Sequence, residues 1–291
     1  MRLSLLKCPT VALATLALAA CQQPSGNPPP ASAGYAAAAG DSSSAPVIAA
    51  QPASADSVGL PGDHTETTQY KIAISMPNLP DTAKPLAGAL RTTADAAKRQ
   101  FLQALPDPDE GSASPRQQFA LHLAFTVAAR TAAFTSVRET GEVDTGGAHP
   151  APVEGSFVFD HKANSVITLD DLFAQPDRAR KALADFARAA LAKRLLANAP
   201  EPGEASPTAS REWMTNMQQM LDYGTQPTNV NFALFVVRAG AANDAPSPGL
   251  TLVFPPYQVA PYSDGTQTVD VPASVFAAFL KPAYRADFAA P

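Results

Sequence analysis

The sequence predicts an α+β domain with a largely antiparallel sheet and helices packed on it. Strand-like alternation of apolar and polar residues recurs along the chain, and two long segments carry apolar residues at three- and four-residue steps. With 291 residues, 46% of them hydrophobic, the chain can bury a sizeable core. The predicted order of elements is β-α-β-β-β-(β)-α-α-β-β-β-α, in which the strand in parentheses is a short one.

The N-terminus has the features of a lipoprotein signal peptide, predicted over residues 1–20. Arg2 and Lys7 form a short basic region, an apolar run follows, and small residues lead directly to Cys21. A membrane-spanning helix needs about 20 apolar residues, so this run is too short to be one. Cleavage would leave Cys21 as the lipidated N-terminus, and several acyl chains together bind a bilayer stably. We therefore expect the protein to be attached to a membrane through Cys21.

The residues around the predicted cleavage site also indicate a compartment. Gln22 follows Cys21, where an aspartate would favour retention in the inner membrane of a diderm bacterium. We therefore expect a lipoprotein of the cell envelope, on the periplasmic face of the outer membrane. Cys8 is removed with the signal and Cys21 is acylated, so no cysteine pair remains for a disulfide.

Residues 21–66 are predicted to be a disordered tether rich in Ala and Pro. The segment contains Ser, Gly and acidic residues besides, but no Lys or Arg, and it cannot bury enough apolar surface to order itself. Loss of Arg2 and Lys7 with the signal changes the formal net charge from −5 to −7. The chain lacks the strongly basic face of nucleic-acid-binding domains, so we expect no nucleic-acid partner.

A single folded domain is predicted over residues 67–282, followed by a tail over 283–291. It begins with an alternating strand from Tyr70 to Ser75, and a helix follows over about 82–105, where apolar residues form one stripe. The next predicted strands are 119–127, 132–143, 153–160 and a short 166–169.

The second part of the predicted domain contains two long helices and three further strands. Asp170 and Asp171 stand at a helix start, where carboxylates bond free amide groups and favour the helix dipole. The helix over 176–197 carries basic residues opposite its apolar side, an arrangement typical of a solvated face. The remaining elements are a helix at about 210–223, strands at 231–238, 250–254 and 267–271, and a helix at 272–280.

The two halves of the domain are predicted to join at residues 144–150, Asp-Thr-Gly-Gly-Ala-His-Pro. Gly146 and Gly147, placed between two strands, indicate a tight backbone that bulkier residues could not adopt. His149 precedes a proline, which favours an extended backbone at the histidine.

A second distinctive loop runs from Pro255 to Gly265 and carries Tyr257, Pro261 and Tyr262. Stiff amphipathic side chains make good interface anchors because little entropy is lost when they bind. The alternative is that both tyrosines fold back onto the sheet.

Three motifs in this order give a resemblance to a known family. They are Gly146-Gly-Ala-His149, Leu169-Asp-Asp-Leu-Phe173 and Tyr257-Gln-Val-Ala-Pro-Tyr262 with Gly265. In their spacing and neighbours, residues from about 70 to 280 resemble the extracytoplasmic domain shared by the anti-sigma factor RsiV and the deacetylase PdaC. The resemblance implies an α+β domain that is not catalytic. In the anti-sigma factor this domain is similar to a receptor that binds lysozyme.

The resemblance also implies a function and a binding surface. The expected function is that of a lipid-anchored envelope binding module whose partner is a lysozyme-like muramidase or another cell-wall component. The candidate binding residues lie in the two loops described above: Gly146, Gly147, His149, Tyr257, Pro261 and Tyr262.

The sequence argues against an enzyme with a bound metal or cofactor. The deacetylase owes its activity to a separate metal-binding domain with closely spaced histidines, and after Leu280 we expect no such domain. The four histidines of this chain form neither a His-x-x-x-His nor a His-Glu-x-x-His pattern. We therefore expect no catalytic residue, no metal site and no cofactor.

Two alternative functions stay open at this level. One is a peptidoglycan-acting hydrolase that uses His149 with Asp144 or Asp170 as acid, base or metal ligand. The other is a structural envelope lipoprotein that acts through the basic face of the helix over 176–197.

Overall fold

The computed structural model describes residues 57–106, 118–199, 206–242 and 245–290. All of them fall within one compact unit, Pro52–Pro291. The predicted signal peptide over residues 1–20, Cys21 and most of the predicted tether lie outside the described residues.

In chain order the strands and α-helices are as follows. They are β1 (Ser57–Gly59), β2 (Asp63–Glu66), β3 (Tyr70–Ser75), β4 (Asn78–Pro80), α1 (Lys84–Ala104), β5 (Phe119–Arg130), β6 (Phe134–Asp144), β7 (Ala151–Asp160), β8 (Ser165–Ile167), α2 (Pro176–Leu195), α3 (Pro207–Gly224), β9 (Phe235–Val237), β10 (Gly249–Phe254) and β11 (Gln267–Pro272).

The larger sheet has six strands in the order β2-β3-β5-β6-β7-β8. Its neighbouring strands are antiparallel except for β3 and β5, which are parallel. The chain segment between these two contains α1, as a parallel connection requires a long crossover. A three-stranded antiparallel sheet, ordered β11-β10-β9, and a two-stranded pair, β1-β4, complete the strands of the described residues. The predicted α+β class with a largely antiparallel sheet is therefore confirmed.

Helix α1 covers one face of the six-stranded sheet. Pro85 lies in its first turn, where a missing amide hydrogen leaves no bond unmade. Its apolar stripe is buried as the periodicity predicted, and Phe101 packs edge-on against the ring of Tyr70. The core beneath it also takes in alternate residues of β3 and β5.

A second core lies between α2, α3, the three-stranded sheet and one end of the six-stranded sheet. Strand β9 is tied to β6 and β7 by side chains. The hydroxyl of Ser136 accepts the Val237 amide hydrogen at 3.1 Å, and the hydroxyl of Ser156 accepts that of Phe235 at 2.9 Å. The loops that follow β10 are thereby held close to the hairpin of β6 and β7.

The folded region begins earlier than residue 67, contrary to the predicted end of the tether. Residues 57–66 contain β1 and β2, which pair with β4 and β3. Leu60, between them, is buried. These are edge strands, and β2 consists of the polar residues Asp-His-Thr-Glu, so no apolar alternation marks them in the sequence.

The C-terminal end also differs from the prediction. The predicted helix over 272–280 is a pair of 3-10 turns, Ala273–Val275 and Ala277–Phe279. Residues 283–290 are not a free tail, because a further 3-10 segment leads to Phe288, whose ring is buried against Phe134 and Phe276. The predicted strand over 231–238 is reduced to the three residues of β9.

Residues 144–150 do not separate two halves of the domain as predicted. They form the turn of the β6–β7 hairpin, whose strands pair from Phe134↔Asp160 to Val143↔Ala151. The chain leaves the six-stranded sheet only after β8. Within the described ranges, no helix is long and apolar enough to cross a bilayer.

Candidate functional site

The turn of the β6–β7 hairpin is held by its own residues. The Gly146 amide donates a hydrogen bond to Oδ1 of Asp144 at 2.9 Å. Gly146 has a φ of 90°, a region that favours glycine, and a Cβ here would lie 3.1 Å from the Phe119 ring. Gly147 does not share this requirement, because its φ is not positive and a Cβ would meet only the His149 carbonyl at 3.6 Å. The prediction of a restricted backbone was right for Gly146 and wrong for Gly147.

His149 is exposed at the end of this turn, and its ring orientation follows from its partners. Nδ1 lies 3.0 Å from the carbonyl oxygen of Pro150, and a carbonyl can only accept a hydrogen bond. Nδ1 therefore carries a proton. In the neutral ring, Nε2 is then the acceptor for the hydroxyl of Tyr257, which lies 3.4 Å away.

The loop from Pro255 to Gly265 is fixed from its inner side. Val259 and Ala260 are fully buried in the second core. The side-chain amide of Gln258 donates to the carbonyl oxygens of Gly224, at 2.9 Å, and Asn231, at 3.0 Å. A Cβ at Gly224 would overlap the Gln258 carbonyl, so only glycine lets this loop approach the end of α3.

Tyr257 has a φ of 70°, in the left-handed region that non-glycine residues rarely adopt. Its amide donates to the Ala260 carbonyl oxygen at 3.1 Å, which closes the turn around this conformation. Backbone strain of this kind costs on the order of 1 kcal/mol and persists only where the surroundings hold it. Here it accompanies a side chain that points outward, with 56% of Tyr257 exposed.

The two loops meet in a group of three rings, His149, Tyr257 and Tyr262, which we call the aromatic cluster. The ring centroids of His149 and Tyr262 are 4.5 Å apart at 23°, and those of Tyr257 and Tyr262 are 5.5 Å apart at 30°. The Tyr262 hydroxyl also lies 3.5 Å from the Pro150 carbonyl oxygen. Tyr262 therefore stacks between His149 and Tyr257, and the two tyrosines do not fold back onto the sheet.

Pro261 has a supporting position in this arrangement. It is half-buried and precedes the 3-10 turn Tyr262–Asp264, whose Asp264 amide donates to its carbonyl oxygen at 3.1 Å. Its fixed backbone sets the direction of Tyr262. Pro261 thus orients the Tyr262 ring and is itself only partly exposed.

The aspartates considered for a hydrolase have structural partners. Asp170 forms an ion pair with Arg180, which also pairs with Asp177. Asp171 accepts hydrogen bonds from the Thr168 amide at 2.8 Å and its hydroxyl at 2.7 Å, so the predicted capping role is found at Asp171. Across the described part of the chain, no group of three or more His, Cys, Asp or Glu is arranged to hold a metal ion.

The basic face of α2 is largely engaged within the protein. Its contacts are a cation–π contact of Arg178 with Phe279, the ion pairs of Arg180, a Lys181–Asp185 ion pair, and hydrogen bonds of Arg188 to Thr225 and of Arg194 to the Thr268 carbonyl oxygen. The face is therefore less available to lipid or glycan than its sequence suggested.

Beneath the hairpin turn, β6 carries a buried acid. Glu139 is 5% exposed, and its carboxylate lies over Gly155 of β7, where any Cβ would overlap it. Burial, and then the charge of Glu154, raises the pKa of Glu139 from its ordinary value of 4.5 to about 7. Glu154 itself pairs with Arg138 and accepts a hydrogen bond from Thr266 at 2.5 Å. Thr266 directly follows the loop from Pro255 to Gly265, which we call the aromatic loop, so this bond links the hairpin to that loop.

Sequence reasoning missed Gln258, which supports the loop, and the exposed side chains of Tyr223 and Val230. Tyr223 ends the predicted helix over about 210–223, and Val230 directly precedes the predicted strand over 231–238. No simple sequence signal marks them as surface residues.

The comparisons with known proteins concern the C-terminal part of the chain. Residues 170–274 match the family model described as "Protein of unknown function (DUF3298)". Residues 170–274 therefore correspond to a DUF3298 domain. This bears out the domain type recognised from the sequence, and the matched residues include the whole aromatic loop but not the β6–β7 hairpin. No curated protein matches the chain.

Two solved structures are similar to this chain. A DUF3298 family protein from Pseudomonas aeruginosa aligns with a TM-score of 0.50 and 19% identity, covering 80% of this chain and 99% of that one. A member of the DUF3298 family from Bacteroides fragilis aligns with a TM-score of 0.47 and 16% identity, covering 79% of this chain and 94% of that one. At 19% identity, the alignment with the Pseudomonas aeruginosa protein shows that the two chains share a fold.

Proposed function

We propose that this protein is a lipid-anchored, non-catalytic binding module of the cell envelope that recognises a lysozyme-like protein through the aromatic cluster. The supporting observation is that His149, Tyr257 and Tyr262, from loops over 100 residues apart, meet on one exposed surface. Aromatic side chains held in place before binding lose little entropy when a partner covers them.

Two further points support a lysozyme-like partner. The chain resembles the domain that acts as a lysozyme receptor in the anti-sigma factor. Its formal net charge is −5, and removal of Arg2 and Lys7 with the signal would make it −7, which attracts a basic protein at low salt. The alternative partner is another cell-wall component.

The first experiment measures binding of a chicken-type lysozyme to the full chain in detergent by isothermal titration calorimetry. We expect micromolar or tighter affinity, and a Tyr262→Ala variant should bind at least about tenfold more weakly because it removes the middle ring of the cluster. Val166→Ala, at an exposed site on β8, is the matched control and should bind normally. No binding by the unaltered chain at micromolar concentration would remove the lysozyme proposal.

The anchor is tested separately from the partner. Mass spectrometry of the protein from its native membrane should find Cys21 as the N-terminal residue with acyl chains on its thiol and amine. Cys21→Ala should release the protein from the membrane fraction. An unmodified Cys21 would contradict the anchor and leave the binding surface unaffected.

The hydrolase alternative has a test of its own. His149→Ala should leave any muropeptide release by the purified chain unchanged, because His149 contacts Pro150 and the rings of Tyr257 and Tyr262 and no acidic residue of the described part of the chain. Measurable turnover that disappears in this variant would replace the binding proposal with an enzymatic one.

A further inference from the structure

Exposed apolar side chains of the described residues gather near the aromatic cluster. Seven large ones are exposed, and four of these are Tyr223, Val230, Tyr257 and Tyr262. Tyr223 and Val230 are the most exposed, at 77% and 83%. Clustering of this kind is typical of an interaction surface, whereas single exposed apolar residues are ordinary.

Hydrogen bonds place Tyr223 and Val230 next to the aromatic loop. Gln258, the neighbour of Tyr257, donates to the carbonyl oxygens of Gly224 and Asn231, which directly follow Tyr223 and Val230 in the chain. The backbone at Gly224 and at Asn231 therefore lies against Gln258 of the loop over 255–265. Residues 222–231, which are the last turn of α3 and the loop that follows it, form a third segment beside the two loops of the aromatic cluster, and we call it the third loop.

This third loop is firmly supported although its two apolar side chains point outward. The side-chain amide of Asn231 donates to the carbonyl oxygens of Tyr223, at 2.9 Å, and Gln226, at 3.1 Å. Leu221 and Phe232, on either side of the loop, are fully buried in the second core. These contacts hold the loop in place without the side chains of Tyr223 and Val230, so a partner would meet a preformed surface.

The charges around the surface indicate the chemistry of that partner. Residues 144–150, 222–231 and 255–265 contain three aspartates, Asp144, Asp222 and Asp264, and no Lys, Arg or Glu. Arg188 of α2 is a cation that contacts one of these segments: it lies 3.7 Å from the Asp222 carboxylate and donates to the Thr225 hydroxyl at 2.9 Å. Tyrosine rings flanked by carboxylates suit guanidinium and ammonium groups, since a ring face attracts a cation.

We propose that residues 222–231 are the third part of the binding surface, and that the three loops together take a basic protein surface with Arg or Lys side chains over the tyrosine rings. This inference rests on the proposed role of the aromatic cluster as a binding surface. It goes further by adding Tyr223 and Val230 and by naming the partner's charge, whichever protein the partner is.

The first test uses the full chain with chicken-type lysozyme as the probe. Tyr223→Ser and Val230→Ser should each raise Kd about fivefold or more, because each removes exposed apolar area from the covered surface. Val166→Ser, a matched exposed valine on β8, should leave Kd unchanged. If lysozyme binds and both loop variants bind like the unaltered chain, the third loop is not part of the surface, while the function proposed for the cluster stands.

The second test does not depend on lysozyme. A hexa-arginine peptide at millimolar concentration should shift the amide NMR signals of residues 222–231 and of the aromatic loop, and a hexa-glutamate peptide should not. These shifts without lysozyme binding would support the inference and remove lysozyme as the partner. Absence of shifts at residues 222–231, or shifts there with a soluble chito-oligosaccharide and none with the arginine peptide, would overturn it.

Discussion

The inner and outer sides of the loop over 255–265 differ in burial and in the contacts that their side chains make. On the inner side, Val259 and Ala260 are fully buried and Gln258 bonds to two carbonyl oxygens of neighbouring segments. On the outer side, Tyr257 and Tyr262 contact mainly each other and His149. The same short segment thus contains residues that hold the loop in place and two tyrosines whose side chains do not.

This difference means that stability and binding can be separated by mutation. Substitutions on the inner side should reduce the free energy of unfolding, and substitutions on the outer side should change binding alone. The β6–β7 hairpin has the same division, since Glu139 is buried and Glu142 of the same strand is exposed.

Gly224→Ala should be the most damaging single change. The new Cβ would overlap the backbone carbonyl of Gln258, and backbone atoms cannot move aside as a flexible side chain can. We expect a loss of about 3 kcal/mol in the free energy of unfolding, measured by urea denaturation. Gly88→Ala is the control: it lies within α1 with open space around it, so it should stabilise by about 0.5–1 kcal/mol. If Gly224→Ala and Gly88→Ala had equal effects on stability, Gly224 would not lie close to the Gln258 carbonyl.

Glu139 should make stability depend on pH. Its pKa is raised in the folded state to about 7, so the folded protein holds a proton that the unfolded chain releases above its ordinary value of 4.5. Stability is therefore full at low pH and is lost as the pH rises from about 4.5 through about 7, by up to about 3 kcal/mol.

Glu139→Gln should remove this loss. Urea denaturation at about pH 5 and about pH 8 should show a smaller difference between the two conditions in the variant than in the unaltered chain. Glu142→Gln, on the exposed face of the same strand, should keep the original difference. A Glu139→Gln variant with an unchanged pH dependence would mean that the buried carboxyl is ionised throughout.

Val259→Ala tests the inner side of the loop directly. Removing two methyl groups from a fully buried site should lower the free energy of unfolding by about 2 kcal/mol. Val166→Ala on exposed β8 should change it by less than about 0.5 kcal/mol. If both valines tolerate the change equally, the loop is not anchored by Val259.

The smallest effect on stability is expected at Tyr262. Because its ring is partly exposed and stacks only on other surface rings, Tyr262→Ala should change the free energy of unfolding by about 1 kcal/mol or less. Tyr262→Phe, which keeps the ring and removes a hydroxyl 3.5 Å from Pro150, should be neutral. A loss as large as that of Val259→Ala would show that Tyr262 has a folding role.

Much of the fold could be predicted because its main elements have strong periodic patterns. Strand β5 alternates between buried and more exposed residues, and α1 and α2 have continuous apolar stripes, so a local pattern in the sequence identifies each of them. Strand β2 is polar at an edge, and Phe288 is a single apolar residue that packs on a distant ring. The pairing of β2 and the packing of Phe288 depend on tertiary contacts, which local sequence patterns do not predict.

The candidate site could be predicted only as separate loops. Turn chemistry singled out Gly146 and His149, and aromatic composition singled out Tyr257 and Tyr262. Their meeting depends on how β9 crosses β6 and β7, which rests on the hydroxyls of Ser136 and Ser156. Two serines in alternating strands give no indication of such a role in a single sequence.

The central claim is that the outer surface serves binding while the inner side serves folding. The most direct measurement compares the double variant Tyr257→Ala/Tyr262→Ala with the unaltered chain in thermal unfolding and in lysozyme binding by calorimetry. We predict that the melting temperature changes by only a few degrees and that binding is lost. Unchanged lysozyme binding by a folded double variant would contradict this account.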